Sequence, residues 1–93
     1  MFLLEETNQL FDLFGDKVYD PKYLDKKTIQ LLAVACSVMA DCVPCIESHY
    51  KQAVAAGANS EEISEALAVC MAISAGSKRA KYKSVVSNLE KLA

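Results

Sequence analysis

No stretch of this 93-residue chain approaches 18 consecutive apolar residues, so no segment reads as a bilayer-spanning helix. Tryptophan is absent and aromatics make up only 8% of the residues, which leaves a core of aliphatic side chains and alanine. Neither sign of charge dominates. A formal net charge of −2 argues against a general binder of nucleic acid or of membrane surfaces. The chain opens Met1-Phe2-Leu3-Leu4 and meets Glu5 at once, without the basic n-region of a signal peptide. Internal repeats and low-complexity segments are missing as well.

What is present is apolar: 53% of the residues, in a length that makes one small domain spanning 1–93. A domain of this size buries only a modest fraction of its surface. So high an apolar content implies burial between subunits, and a homo-oligomer is expected. Four cysteines without a secretory signal point to a cytoplasmic protein, where thiols are catalytic or simply buried.

The pattern predicts an all-α fold of five helices. Phe2, Leu3, Leu10, Leu13 and Phe14 mark a first helix over residues 2–14, acidic throughout and ended by Gly15. Asp20-Pro21 marks a connector, whose Tyr19 and Tyr23 are expected to pack down on the helices. Asp25 caps a second helix running to about Ala40, apolar almost all round and therefore buried. One stripe of it differs: Lys27, Gln30, Val34, Ser37 and Asp41 share a face. A third helix, Cys42 to about Ala56, stops at Gly57. Asn59 and Glu62 form a capping-box-like start to a fourth helix, whose apolar face is Ile63, Leu67, Cys70, Met71 and Ser74. Gly76 is expected to break it, with a fifth helix from about Ser77 to Leu92. Cys36 and Cys70 lie on apolar faces and read as core residues. The last helix is basic, with Lys78, Arg79, Lys81, Lys83 and Lys91. No stacking aromatics or phosphate-cradling glycines accompany these charges, so they read as a solvated face that complements the acidic first helix.

The candidate site is Asp41-Cys42-Val43-Pro44-Cys45-Ile46-Glu47-Ser48-His49. Thiols three residues apart on a helix have Cα atoms roughly 5 Å apart, a separation that a disulfide accepts. Asp41 is the expected N-cap, and Pro44 is tolerated because the first turn has no bond for it to break. Both sulfurs then sit near a helix N-terminus, where the dipole favours a thiolate. His49 lies one turn beyond Cys45 on the same face. A neutral imidazole there takes a thiol proton; an imidazolium pairs with a thiolate. A buried Gln30 needs hydrogen-bond partners, and this site is the nearest polar feature able to supply them.

Other readings stay open. C-x-x-C can bind zinc, but Cys42 and His49 are roughly 10 Å apart along one helix axis, too far for one ion. A metal-binding module with ligands shared across subunits evades that limit. A bridge between adjacent turns constrains almost no chain entropy, which disfavours a purely structural disulfide. Plain core cysteines remain the bland alternative, with Gln30 exposed at a frayed helix start. Thiol redox chemistry is the reading that the spacing favours.

Three segments taken together resemble a known family. Leu24-Asp25-Lys26-Lys27-Thr28-Ile29-Gln30-Leu31-Leu32-Ala33-Val34-Ala35, then Cys42 to His49, then Ala56-Gly57-Ala58-Asn59-Ser60-Glu61-Glu62-Ile63-Ser64-Glu65-Ala66-Leu67, are similar to the AhpD-like alkylhydroperoxidase branch of the carboxymuconolactone decarboxylase family. The resemblance covers roughly residues 24 to 75. It implies an all-helical fold that assembles into dimers, trimers or hexamers, and a peroxidase or disulfide-reductase activity. It further implies that Cys45 is the peroxidatic thiol, Cys42 the resolving thiol and His49 part of a proton relay. The redox-active Cys42–Cys45 disulfide replaces any cofactor. The expected partners are a hydroperoxide or disulfide substrate and a thiol or dithiol reductant.

Two departures from the family pattern matter. The relay glutamate twelve residues before the first cysteine is Gln30 here, and the histidine often found before the second cysteine is Pro44. Glutamine orients an imidazole or donates to a thiolate but accepts no proton at physiological pH. This implies a weak peroxidase, or a dithiol–disulfide carrier. A non-catalytic oligomeric scaffold with a decayed site is the alternative. Asp41, Glu47 and Glu65 are candidate substitute carboxylates.

Overall fold

The computed structural model describes residues 1–92. They form four helices, α1 (Glu5–Tyr19), α2 (Lys26–Met39), α3 (Val43–Ala55) and α4 (Ser60–Glu90), with no strand among the described residues. The all-α expectation holds; the count of five does not. Neither Gly15 nor Gly76 ends a helix. A glycine terminates a helix when it takes the left-handed conformation just past the last turn. Gly57 does so, with φ 99°. Gly15 and Gly76 stay right-handed inside their helices, at a cost of about 1 kcal/mol each relative to alanine. The real end of α1 is Asp20-Pro21. Proline disfavours helical geometry in the residue before it, and Asp20 is extended, with φ −75° and ψ 119°. No such signal follows Gly76, so α4 runs for 31 residues, about 46 Å at roughly 1.5 Å per residue.

The starts of α2 and α4 follow their caps. The Asp25 carboxylate accepts from the Thr28 N–H at 2.7 Å, and the Thr28 side chain first and this N–H second lower its pKa. Asn59 accepts from the Glu62 N–H at 2.8 Å, while Glu62 accepts from the Asn59 N–H at 3.0 Å. Glu62 also pairs with Lys27 at 2.7 Å, tying α4 to the first turn of α2. That contact lowers the Glu62 pKa and raises that of Lys27. A depressed carboxylate stabilises the fold above its unfolded pKa and loses that effect as pH falls through the folded value. The pair is half-exposed, so solvent screens most of its effect. The Asn59 cap is the firmer anchor. Asn59→Ala is expected to cost about 1 kcal/mol, which lowers Tm by roughly 4–8 °C in a chain of this size. Thermal melting at fixed protein concentration checks this.

Val34, Ala53, Ala58 and Ile63 form the buried core, with Leu31, Ile46 and Leu67 packed against it. The core therefore lies where α2 meets α3 and the first half of α4. Cys70 is buried, as expected. Cys36 is not: it is exposed. Tyr23 is fully exposed rather than packed. Helix α1 buries no residue, and Phe11, Leu13 and Phe14 are exposed on it. Met71, Ile73, Tyr82, Val85 and Val86 are exposed on α4. The radius of gyration is 18.3 Å, against roughly 12 Å for a compact chain of this length. No helix among the described residues is long and apolar enough to cross a membrane.

Candidate thiol–imidazole site

The site begins in the turn between α2 and α3, where one helix ends and the next starts without a spacer. Asp41 takes a left-handed conformation, φ 54°. The Asp41 N–H donates to the Val38 carbonyl at 3.1 Å and the Cys42 N–H to the Ser37 carbonyl at 2.9 Å. Those two bonds are the Schellman closure of α2. Aspartate is among the few non-glycine residues that tolerate this conformation. Asp41 is therefore the terminator of α2, not the N-cap of α3. The N-cap is Cys42 itself, whose Sγ accepts from the Cys45 N–H at 3.2 Å. Pro44 occupies the first turn, as its chemistry requires.

Cys42 and Cys45 have Cα atoms 5.2 Å apart and their sulfurs are bonded as a disulfide. Both residues are half-buried. When the bridge opens, a Cys42 thiolate sits at the positive end of α3 and already faces a backbone donor.

Gln30 is 1% exposed, at the centre of the stripe that the sequence marked on α2. Its Oε1 lies 2.8 Å from Nδ1 of His49. An amide oxygen only accepts, so Nδ1–H is the donor and the proton resides there. Nε2 is left with its lone pair, the atom able to receive a proton. Val34 and Ser37 continue the buried stripe, with the Ser37 hydroxyl donating to the Ala33 carbonyl at 2.6 Å. Lys27 belongs to the stripe but is engaged by Glu62.

Tyr19 completes the imidazole's surroundings. Its ring centroid is 4.7 Å from that of His49, at 45°. The last turn of α1 thus covers one side of the site, a contact that helical periodicity alone could not reveal. Tyr19, Cys36, Cys45 and His49 line one cleft of about 200 Å³. Cys45 and His49 share that cleft as their spacing required, while the His49 ring nitrogen bonds to Gln30.

The candidate substitute carboxylates do not line the cleft that holds Cys45 and His49. Asp41 and Glu47 are exposed, and Glu65 lines outer clefts beside Ser64 and Ala66 that neither Cys45 nor His49 enters. Among the described residues, no three His, Cys, Asp or Glu side chains gather as a metal site would need.

The carboxymuconolactone decarboxylase family model matches residues 5–85. A crystal structure of a protein from Methanobacterium thermoautotrophicum superimposes with a TM-score of 0.82 at 33% identity, covering 88% of this chain and 92% of that one. The protein from Paracoccus denitrificans called "uncharacterized protein 4 in cox locus" is 39% identical over 69 residues, 74% of this chain. The match spans 62% of that relative's own length. The helices that carry the cysteine pair, the imidazole and its amide partner all fall within the matched span, and the chain belongs to the carboxymuconolactone decarboxylase family.

Proposed function

We propose that this protein is a thiol-dependent oxidoreductase of the AhpD-like branch, reducing hydroperoxides or exchanging disulfides through Cys42 and Cys45. The observation that carries the reading is the bonded cysteine pair at the N-terminus of α3, with Cys45 sharing a cleft with an imidazole that is hydrogen-bonded to Gln30. Nε2 of His49 takes the Cys45 proton. The Cys45 thiolate attacks the terminal oxygen of a hydroperoxide, the O–O bond breaks, and the departing alkoxide takes the proton back to leave as an alcohol. Cys45 becomes a sulfenic acid. Cys42 gives up its proton and its thiolate attacks that sulfur. The S–O bond breaks, the departing hydroxide takes that proton and leaves as water, and the bridge closes. An external thiol or dithiol reduces it, completing the cycle in the cytoplasm.

The neutral amide at Gln30 favours a second reading, dithiol–disulfide exchange without efficient peroxide chemistry. A glutamine stabilises the imidazolium less than a carboxylate does, which weakens the proton relay. Steady-state assays separate the two. Hydroperoxide loss and reduction of a small aromatic disulfide are followed with the same dithiol reductant. Acceleration of the first supports the peroxidase, of the second alone the carrier. Acceleration of neither sinks both and leaves a non-catalytic scaffold.

The working unit is a homo-oligomer. The exposed apolar side chains of α1 and of the far half of α4 leave the protomer extended, and a second copy supplies the missing cover. Glu5, Glu6, Asp12 and Asp16 on α1 complement Lys78, Arg79, Lys81 and Lys83 on α4. Light scattering on the eluting protein is expected to give a multiple of 10.1 kDa. A monomer at micromolar concentration contradicts it.

A further inference from the structure

Three of the four cysteines lie at one place in the fold. Ala33, Cys36 and Ala40 follow one another on α2 at spacings of three and four, so they share a face. That face lines the cleft that Cys45 and His49 of α3 also line. The side chains on either side of Cys36 in that lining, Ala33 and Ala40, are small. Cys36 is free and exposed, whereas Cys42 and Cys45 are half-buried. The two-cysteine cycle gives Cys36 no task.

We propose that Cys36 is a third redox thiol, which attacks the Cys45 sulfur of the Cys42–Cys45 bridge and carries the disulfide to the exposed rim of the cleft. This rests on the redox reading of the pair. The Cys36 thiol loses its proton to water at the open side of the cleft. Its thiolate forms a bond to Cys45 Sγ, the Cys42–Cys45 bond breaks, and Cys42 departs as a thiolate. One thiol and one disulfide become one disulfide and one thiol, so no outside oxidant is consumed.

The direction of attack follows from the geometry. Cys45 lines the cleft with Cys36, and Cys42 does not. Cys42 is also the better leaving group. Departing charge settles on an N-cap sulfur that accepts the Cys45 N–H, and a stabilised thiolate leaves faster. An incoming dithiol then meets Cys36, the most exposed sulfur of the three, and attacks it with Cys45 as the leaving thiolate.

The test uses the full chain with Cys42→Ser, treated with the aromatic disulfide 5,5′-dithiobis(2-nitrobenzoate). One thiol forms a mixed disulfide and the other is expected to displace the reagent. The result is a Cys36–Cys45 bridge within one chain, two thiols lost and all aromatic thiol released. Peptide mapping and a non-reducing gel read this out. Stable adducts on both residues, or bridges only between chains, would overturn the proposal. Wild type treated in parallel keeps the underlying reading separate. A Cys42–Cys45 bridge there with no Cys36–Cys45 bridge in the variant defeats the third thiol alone. No bridge in wild type defeats the redox pair itself. Should the variant not fold, mapping of oxidised wild type decides the matter: a minor Cys36–Cys45 species supports the exchange and its absence overturns it.

Discussion

Cys45→Ser is expected to reduce hydroperoxide turnover to the rate without protein, while Cys42→Ser still consumes one peroxide and accumulates a sulfenic acid that closes only slowly onto Cys36. A serine hydroxyl does not ionise near neutral pH and is no substitute for a thiolate nucleophile. Removing the resolving thiol leaves the first O–O cleavage intact but slows the closing step, because only Cys36 remains near the oxidised sulfur. A sulfenic-acid trap followed by mass spectrometry counts the product. The assignment weighs two opposed features of the site. Cys45 shares the cleft with His49, the proposed base. Cys42 has the N-cap position and the backbone donor, which supply electrostatic stabilisation. The first favours the attacking role for Cys45, and the second favours a Cys42 that ionises readily for the resolving step. The reverse pattern, with Cys45→Ser retaining one turnover, would exchange the two roles.

Gln30→Glu is expected to raise peroxide turnover by about 10²-fold, the lower part of the range that a positioned acid–base group contributes. The substitution conserves shape and keeps an oxygen against Nδ1–H of His49. A carboxylate there stabilises the imidazolium as Nε2 takes the thiol proton, which an amide oxygen does weakly. Residue 30 is 1% exposed, so the same charge is costly to bury whenever the ring is neutral. Melting temperature and rate are therefore expected to move in opposite directions. Gln30→Leu is the control. It leaves Nδ1 without its acceptor, at a cost of about 1–3 kcal/mol, and frees the ring to take the wrong tautomer. Turnover that is unchanged or lower in Gln30→Glu means that residue 30 does not serve the relay.

Much of this site was legible because its chemistry is local. The cysteine spacing, the single histidine one turn on and the polar stripe through Gln30 are fixed by helix geometry. A buried amide had one nearby partner to find. The caps at Asp25 and Asn59 were legible for the same reason: a side chain that satisfies a backbone donor acts within three residues. The α2–α3 turn was misread at Asp41, since aspartate serves equally as an N-cap and as a left-handed terminator. Closing α2 with the Cys42 N–H decided between them. The glycines misled because they permit a stop without imposing one; only Gly57 has the geometry. That Tyr19 packs on the helices is expected from the sequence, but its meeting with His49 and the exposure of Cys36 were not legible. Their places depend on where α1 crosses the site and on how α2 packs against α3. Both are long-range facts that no periodicity encodes.

The central claim is that Cys42 and Cys45 form a working redox couple. Fully reduced protein is mixed with one equivalent of organic hydroperoxide, quenched at intervals by alkylation, and the Cys42–Cys45 bridge is counted by mass spectrometry beside stopped-flow peroxide loss. Bridge formation in step with peroxide loss, near one bridge per peroxide, is the expected result. Peroxide that persists while both thiols stay alkylatable would contradict it.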